Sequence, residues 1–232
     1  MIYLIGGPPR CGKTTVARIL ARRTGASCLA LDNLERVVSH YMPADERAAS
    51  LPEFAEPGSN ERYAAHSAAE IIAILRTSAR TMWPAIHILI HSALDQGQDL
   101  ILEGYQLEPA FMGEFTPETL PCPLTPYQAE MVQRGAGEFL AHAGDPRIRA
   151  AFLCRHDPAD IQAGFARATD PNDWILGQSN WPVTLQRIAA MISAYSDVIR
   201  RQAAACGAAA FSMDYAFEDQ VERVVSFLMS TP

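Results

Sequence analysis

Eight residues near the amino terminus, Gly7-Pro8-Pro9-Arg10-Cys11-Gly12-Lys13-Thr14, constrain this chain more than any other feature. Their pattern is G-x-x-x-x-G-K-T. Glycines let the backbone curl until successive amides point at one spot, and a helix opening near Lys13 adds the positive end of its dipole there. The flanks suit that geometry. Met1–Ile5 is a short apolar run that reads as a buried parallel strand, and Val16, Ile19 and Leu20 recur at helical spacing until Thr24-Gly25 closes the helix. Strand, glycine loop and helix in that order make a phosphate site. Of the 19 basic residues 18 are arginine, and Lys13 is the single lysine. A compact ammonium on a thin stem stands where a forked guanidinium is too bulky.

Charge agrees with that placement. Residues 1–31 carry Arg10, Lys13, Arg18, Arg22 and Arg23 and no acid, in a chain whose net charge is −7. Polyanion binding therefore belongs at the N-terminal end, and a general nucleic-acid surface is not expected. With 232 residues, 49% apolar and 19% charged, the chain can bury one large α/β core, which excludes disorder and two full-sized domains. Met1–Ile5 is too short and uncharged for a signal peptide. The most apolar helical stretch, 82–94, carries His87 and His91, so no membrane span is expected. Cys11, Cys28, Cys122, Cys154 and Cys206 lie far apart without C-x-x-C, the usage of a reducing, cytoplasmic compartment. A monomer or homodimer with a small-molecule substrate, and no nucleic-acid or membrane partner, fits these bounds.

Four further apolar runs lead to a polar residue: Cys28–Leu31 before Asp32, Leu100–Leu102 before Glu103, Ala150–Cys154 before Arg155, and Ala208–Phe211 shortly before Asp214. Such runs, separated by helical patterns, predict a five-stranded parallel sheet flanked by helices, with ligands beyond the carboxyl ends of the strands. Helices are expected over Asn33–Tyr41, Asn60 to about Arg80, Pro84 to about Gln96, where proline suits a first turn, Val183 to about Cys206, and Glu218–Met229. Residues 104–147 hold six of the 16 prolines, and from 103 to 147 seven acids face two arginines. That stretch reads as an irregular insertion, either a substrate cover or a disordered loop. The expected organisation is one domain, 1–232, with a helical acceptor region over about 42–98 and a lid over about 155–181.

In the glycine loop, Lys13 is expected to reach the β- and γ-phosphates of ATP. The Thr14 hydroxyl is expected to hold Mg2+, with Gly7, Pro8, Pro9, Arg10, Cys11, Gly12 and Thr15 completing the cradle. No G-x-G-x-x-G follows a strand, which disfavours a dinucleotide site. With its one lysine already used, the chain has no N-K-x-D motif, so a guanine-specific switch is excluded, and its length leaves no room for a motor. The loop, second strand and third strand together resemble the small-molecule P-loop kinases related to adenylate kinase. Within that superfamily, Gly6–Gly25, Leu31-Asp32-Asn33-Leu34-Glu35-Arg36 and Leu100-Ile-Leu-Glu-Gly-Tyr-Gln-Leu-Glu-Pro109 resemble 2-phosphoglycerate kinase-like proteins, over roughly half of the chain. The resemblance implies an α/β P-loop NTPase fold and an ATP- and magnesium-dependent kinase of a small hydroxyl-bearing metabolite. Pro8, Pro9 and Cys11 depart from the smaller residues usual in that loop, and the insertion after Pro109 has no counterpart.

Phosphoryl transfer needs positioning and charge neutralisation more than covalent chemistry. Asp32 is placed to orient or deprotonate an acceptor hydroxyl, or else caps the helix that follows. Glu103 holds magnesium through water, or serves as a cap or salt-bridge partner. Arg155 and Arg167 are lid candidates for transition-state charge, with surface ion pairs as the alternative. Arg36, Arg62, Arg76 and Arg80 lie on the acceptor-side helices, and convergence of two of them would favour an anionic acceptor. Asp214 and Tyr215 follow the fifth strand and either flank adenine or join the core. Cys11 is an oxidisable thiol at a helix N-terminus or a small space-filler. His87 and His91 lack the intervening glutamate of a zinc motif and read as a packing pair. The rival functions are a nucleotide-dependent regulatory ATPase and an antibiotic or macromolecule phosphotransferase.

Overall fold

The computed structural model describes residues 1–54, 59–112, 145–168, 173–178 and 181–230, with Ser59, Asn60 and Trp181 as backbone only. Five parallel strands form one sheet: β1 (Ile2–Gly6), β2 (Ser27–Ala30), β3 (Leu100–Glu103), β4 (Ile148–Cys154) and β5 (Ala209–Ser212), in the spatial order β2-β3-β1-β4-β5. All four strand pairs run parallel, with Ile5 opposite Glu103 on one side and Ala151 on the other. The central β1 is buried along its whole length, whereas the edge strands β2 and β5 are half exposed. Strands covered on both faces need no polar alternation, which explains the continuous apolar runs.

Two helical layers supply the cover. On one side α1 (Lys13–Thr24) packs against the C-terminal α8 (Phe217–Met229) through Val16, Ala17 and Leu20 on the first and Val221, Val224, Val225 and Leu228 on the second. A second layer pairs α5 (Ala68–Asp95) with α7 (Trp181–Cys206), whose buried faces include Trp83, Ile86, Ile188, Ile192 and Tyr195. The smaller helices α2 (Leu31–Tyr41), α3 (Ala44–Ser50), α4 (Ser59–Ala65) and α6 (Pro158–Phe165) lie between these elements in the chain.

Three expected boundaries move, each for a physical reason. The helix after β2 starts at Leu31, not Asn33, because β2 ends at Ala30. Ala30 is the N-cap and makes no side-chain cap bond, so Asp32 lies inside the first turn rather than capping it. The helix expected over 60–80 breaks at His66 and Ser67, where Ser67 and Glu70 close a capping box that starts a new helix. That helix then runs 28 residues straight through Pro84, which is interior and not an N-terminal residue. Burial of Met82, Trp83 and Ile86 around it outweighs the lost hydrogen bond.

The first residues of the expected insertion are packed rather than irregular. Tyr105, Gln106, Leu107, Glu108, Pro109 and Phe111 are all buried. Glu108, with no exposed surface, accepts from Arg76 Nε at 3.1 Å, Tyr195 Oη at 2.7 Å and Gln202 Nε2 at 2.8 Å, tying the turn after β3 to α5 and α7. Residues 113–144 of that insertion lie outside the described residues, as does Cys122. The other four cysteines form no disulfide. Among the described residues no helix is long and apolar enough to cross a membrane.

Candidate active site

The glycine loop joins β1 to α1 across the carboxyl edge of the sheet. Gly7 has φ +127°, and a Cβ there would overlap the Leu153 carbonyl oxygen; Gly12 has φ +89°, and a Cβ would stand 2.6 Å from the Phe217 ring. Only glycine meets both demands, so the curl needs each of them. Gly12 is the N-cap of α1, with no side-chain cap and no acid in the first turn. The first amides of α1 thus have no side chain competing for them, the arrangement that accepts an oxyanion. Lys13 Nζ donates to the Pro8 carbonyl at 2.7 Å, which lays its stem back over the loop. Arg10, itself at φ +64°, pairs with Asp173 and lies 5.9 Å from the Phe165 ring centroid.

Thr14 and Glu103 meet although 89 residues separate them. Thr14 Oγ1 donates to Glu103 Oε1 at 3.0 Å. Glu103 ends β3 and is almost wholly buried; desolvation raises its titration, against the opposing pull of Lys13 and of the Thr14 bond. A hydroxyl and a carboxylate side by side, both hard oxygens, beside a triphosphate cradle, fit magnesium, which takes one or two protein oxygens and completes its shell with phosphates and water. Among the described residues no group of three or more His, Cys, Asp or Glu forms an all-protein cage.

From this loop a cleft of about 1200 Å³ extends to Asp32, Glu35 and Arg62. Its walls bring together Pro9, Arg10, Gly12, Lys13, Thr14, Thr15, Asp32, Arg36, Arg62, Glu103, Arg155, Arg167 and Tyr215 from the sequence-derived candidates. Gly7, Pro8 and Cys11 shape the loop from behind. Cys11 is fully buried, and desolvation pushes its thiol up to about 11, opposite to the lowering expected of a reactive helix-terminal thiol, so it packs the core. Arg76 and Arg80 do not reach the cleft: the first pairs with Glu108 and the second lies 5.9 Å from the Phe111 ring centroid. Asp214 accepts the His156 and Asp157 amides at 2.9 to 3.2 Å and so fixes the loop after β4, outside the cleft wall. Tyr215, at φ +53° and exposed, donates to Asp157. His91 pairs with Asp95 at 2.9 Å, and His87 packs on Trp83, away from the cleft.

Arg155 follows β4 and is nine-tenths buried. Its guanidinium donates to the Asp160 carbonyl at 2.8 Å and to the Asp160 carboxylate. Arg167, in the turn after α6, is exposed at the cleft and makes no ion pair among the described residues. Of the expected lid, residues 169–172 and 179–180 lie outside the described residues.

Around Asp32 and Arg36 the structure adds four residues that sequence reasoning did not single out, Glu35, Glu53, Tyr105 and Gln106. Asp32, Glu35 and Arg36, three and four residues apart, share one face of α2 and line the cleft. Tyr105 Oη lies 2.9 Å from each Glu35 carboxylate oxygen and also bonds Glu53, while Gln106 Nε2 donates to Glu35 at 2.7 Å and to Asp32 at 3.1 Å. Burial, reinforced by the Glu53 charge, pushes Glu35 up to about 8. The folded chain therefore holds a proton that the unfolded chain releases between the ordinary carboxylate range and pH 8, and stability falls as pH rises through that window. Replacing Glu35 with glutamine removes the penalty and keeps the acceptor for Gln106. The melting temperature of Glu35→Gln, relative to the parent, is expected to climb from pH 5 to pH 9; a constant difference across that range would contradict a buried proton at Glu35.

A parallel sheet in the order 2-3-1-4-5, a glycine curl leading into an uncapped helix, and the Thr14–Glu103 pair at its mouth define the class: this is an α/β P-loop NTPase fold. A family model for the ATPases associated with various cellular activities matches residues 3–95, which span β1 to the end of α5. No curated protein matches the chain. Among solved structures, shikimate kinase from Bacteroides thetaiotaomicron is similar over 99% of both chains at 14% identity and a TM-score of 0.47. Deoxyadenosine kinase from M. mycoides, solved with bound dATP, is similar over 99% of this chain and 100% of that one at 12% identity and 0.46. A sugar kinase from a Janibacter species is similar over 98% and 93% at 15% identity and 0.40. Likeness at these levels assigns no activity.

Proposed function

We propose that the protein is an ATP- and magnesium-dependent phosphotransferase acting on the hydroxyl of a small molecule. The observation that carries this reading is the Thr14–Glu103 bond at 3.0 Å, a hydroxyl and a carboxylate suited to magnesium that line one cleft with Lys13 and Asp32. The loop amides and Lys13 would hold the β- and γ-phosphates. Thr14 directly, and Glu103 through water, would hold magnesium, which supplies charge neutralisation on the phosphate oxygens when bound. Asp32 would accept the proton of the acceptor hydroxyl, whose oxygen bonds to the γ-phosphorus as the bond to the ADP oxygen breaks. Arg155 and Arg167, which line the same cleft, would meet the charge that develops on the transferred group.

A cleft of about 1200 Å³ that takes in Asp32, Glu35 and Arg62 as well as the loop supports this reading over a regulatory ATPase, which needs no room beside its γ-phosphate. Of the four arginines whose convergence in pairs would favour an anionic acceptor, Arg36 and Arg62 line the cleft, but Arg62 is held by Glu53, and Arg76 and Arg80 lie elsewhere. ADP release measured with ATP and Mg2+ against a panel of alcohols, sugars and hydroxy acids tests the assignment. One class of acceptor is expected to raise the rate well above water-only hydrolysis. A rate indifferent to every acceptor would favour the regulatory ATPase.

A further inference from the structure

The walls of the acceptor end narrow the substrate class, an inference that rests on the phosphotransfer reading above. Three carboxylates face this end, from Asp32, Glu35 and Glu53. Against them stand Arg36 and Arg62, and Arg62 is already engaged by both the carbonyl and the carboxylate of Glu53. The Tyr105 hydroxyl lies between Glu35 and Glu53 with a single proton to donate. Glu35 has a further donor in Gln106 and Glu53 a cation in Arg62, so with Asp32 three carboxylates face two guanidiniums and the cluster stays one positive charge short, a deficit the free protein meets with a proton. An ammonium supplies three donors and one charge at once.

Two further features fit such a guest. Tyr63 and Trp174 stack with centroids 5.3 Å apart and planes 25° from parallel, and both line the cleft, which gives a carbon skeleton an apolar wall next to the carboxylates. Gln106 Nε2 reaches both Asp32 and Glu35, so the site for a charged group and the site for proton removal share one amide. Only a few bonds can then separate the guest's amine from its reacting hydroxyl.

We propose that the acceptor is an amino alcohol whose ammonium bonds Glu35 and Glu53 beside the Tyr105 hydroxyl that bridges them, while a hydroxyl two or three carbons away lies against Asp32. The amine stays protonated in this setting and is therefore not the nucleophile. The phosphoryl group goes to oxygen, the hydroxyl proton to Asp32, and ADP leaves.

One scaffold in three charge states tests the proposal. Calorimetric titration of the full chain with 2-amino-1-phenylethanol, 1-phenyl-1,2-ethanediol and mandelate, each with and without Mg2+ and a non-hydrolysable ATP analogue, compares cation, neutral diol and anion directly. The amino alcohol is expected to bind at least about tenfold tighter than the diol, with mandelate weakest. Glu35→Gln and, separately, Glu53→Gln should erase that preference while analogue affinity stays unchanged, which also shows that the variants fold. Equal binding of amine and diol, tighter mandelate, or no binding of any probe by a chain that binds the analogue overturns the amine assignment alone. A chain that binds no analogue overturns the nucleotide reading instead, and the order of the three probes still decides the amine site.

Discussion

Lys13→Ala is expected to lower acceptor-dependent ADP release by about 10²–10³-fold, the loss typical of removing one preorganised charge from a transferring group. Stability should scarcely move. Lys13 is only partly buried, its ammonium bonds a single loop carbonyl, and Glu103, which loses a nearby charge, keeps its bond from Thr14. Lys13→Arg is expected to fail as a rescue. The Lys13 ammonium donates to the Pro8 carbonyl with its stem laid back over the loop, and a wider, planar guanidinium does not fit the place of that compact group. A coupled ADP assay beside a melting curve checks both parts. Near-normal turnover in Lys13→Ala would remove the phosphate site from the mechanism.

Why that loop can be read directly from the chain, while the acceptor wall cannot, follows from sequence distance. Gly7 to Thr14 are contiguous, and the demands on Gly7 and Gly12 are local backbone demands that only one residue type satisfies. The strands are equally local, because burial on both faces writes itself as an unbroken apolar run. Glu103 is legible by position, as the polar residue ending such a run. Glu35, Glu53, Tyr105 and Gln106 have no such signature. They come from α2, from the turn after α3 and from the turn after β3, and they acquire meaning only once the sheet order places β3 beside β2. A partial signal existed: Glu35 follows Asp32 by three residues, on one helical face, and Tyr105-Gln106 directly follows Glu103-Gly104. The arginines misled for the same reason. Arg76 and Arg80 sit on the expected helix, yet its rotation is set by burial of Leu75, Ala79, Met82 and Trp83, which turns them toward Glu108 and Phe111 rather than the cleft.

Asp32→Asn is expected to lower kcat by at least about a hundredfold and leave nucleotide binding little changed. The choice between base and cap, open on sequence alone, is sharpened by where α2 begins. Ala30 takes the N-cap position, and Asp32 sits one residue into the helix, exposed at the cleft. What asparagine removes from the fold is then a negative charge near the helix N-terminus, about 0.3–1 kcal/mol, too little to explain a hundredfold loss through unfolding. Gln106 Nε2 donates to Oδ1 at 3.1 Å, which orients the carboxylate and leaves Oδ2 to receive a proton. Asparagine keeps an oxygen for Gln106 but offers an NH2 in place of the second acceptor, so orientation survives and proton transfer does not. A fall in kcat with an unchanged melting temperature would assign the base. Unchanged kcat with a lower melting temperature would return Asp32 to helix stabilisation, and the hydroxyl proton would then need another acceptor on the same wall, with Glu53 the nearest in kind.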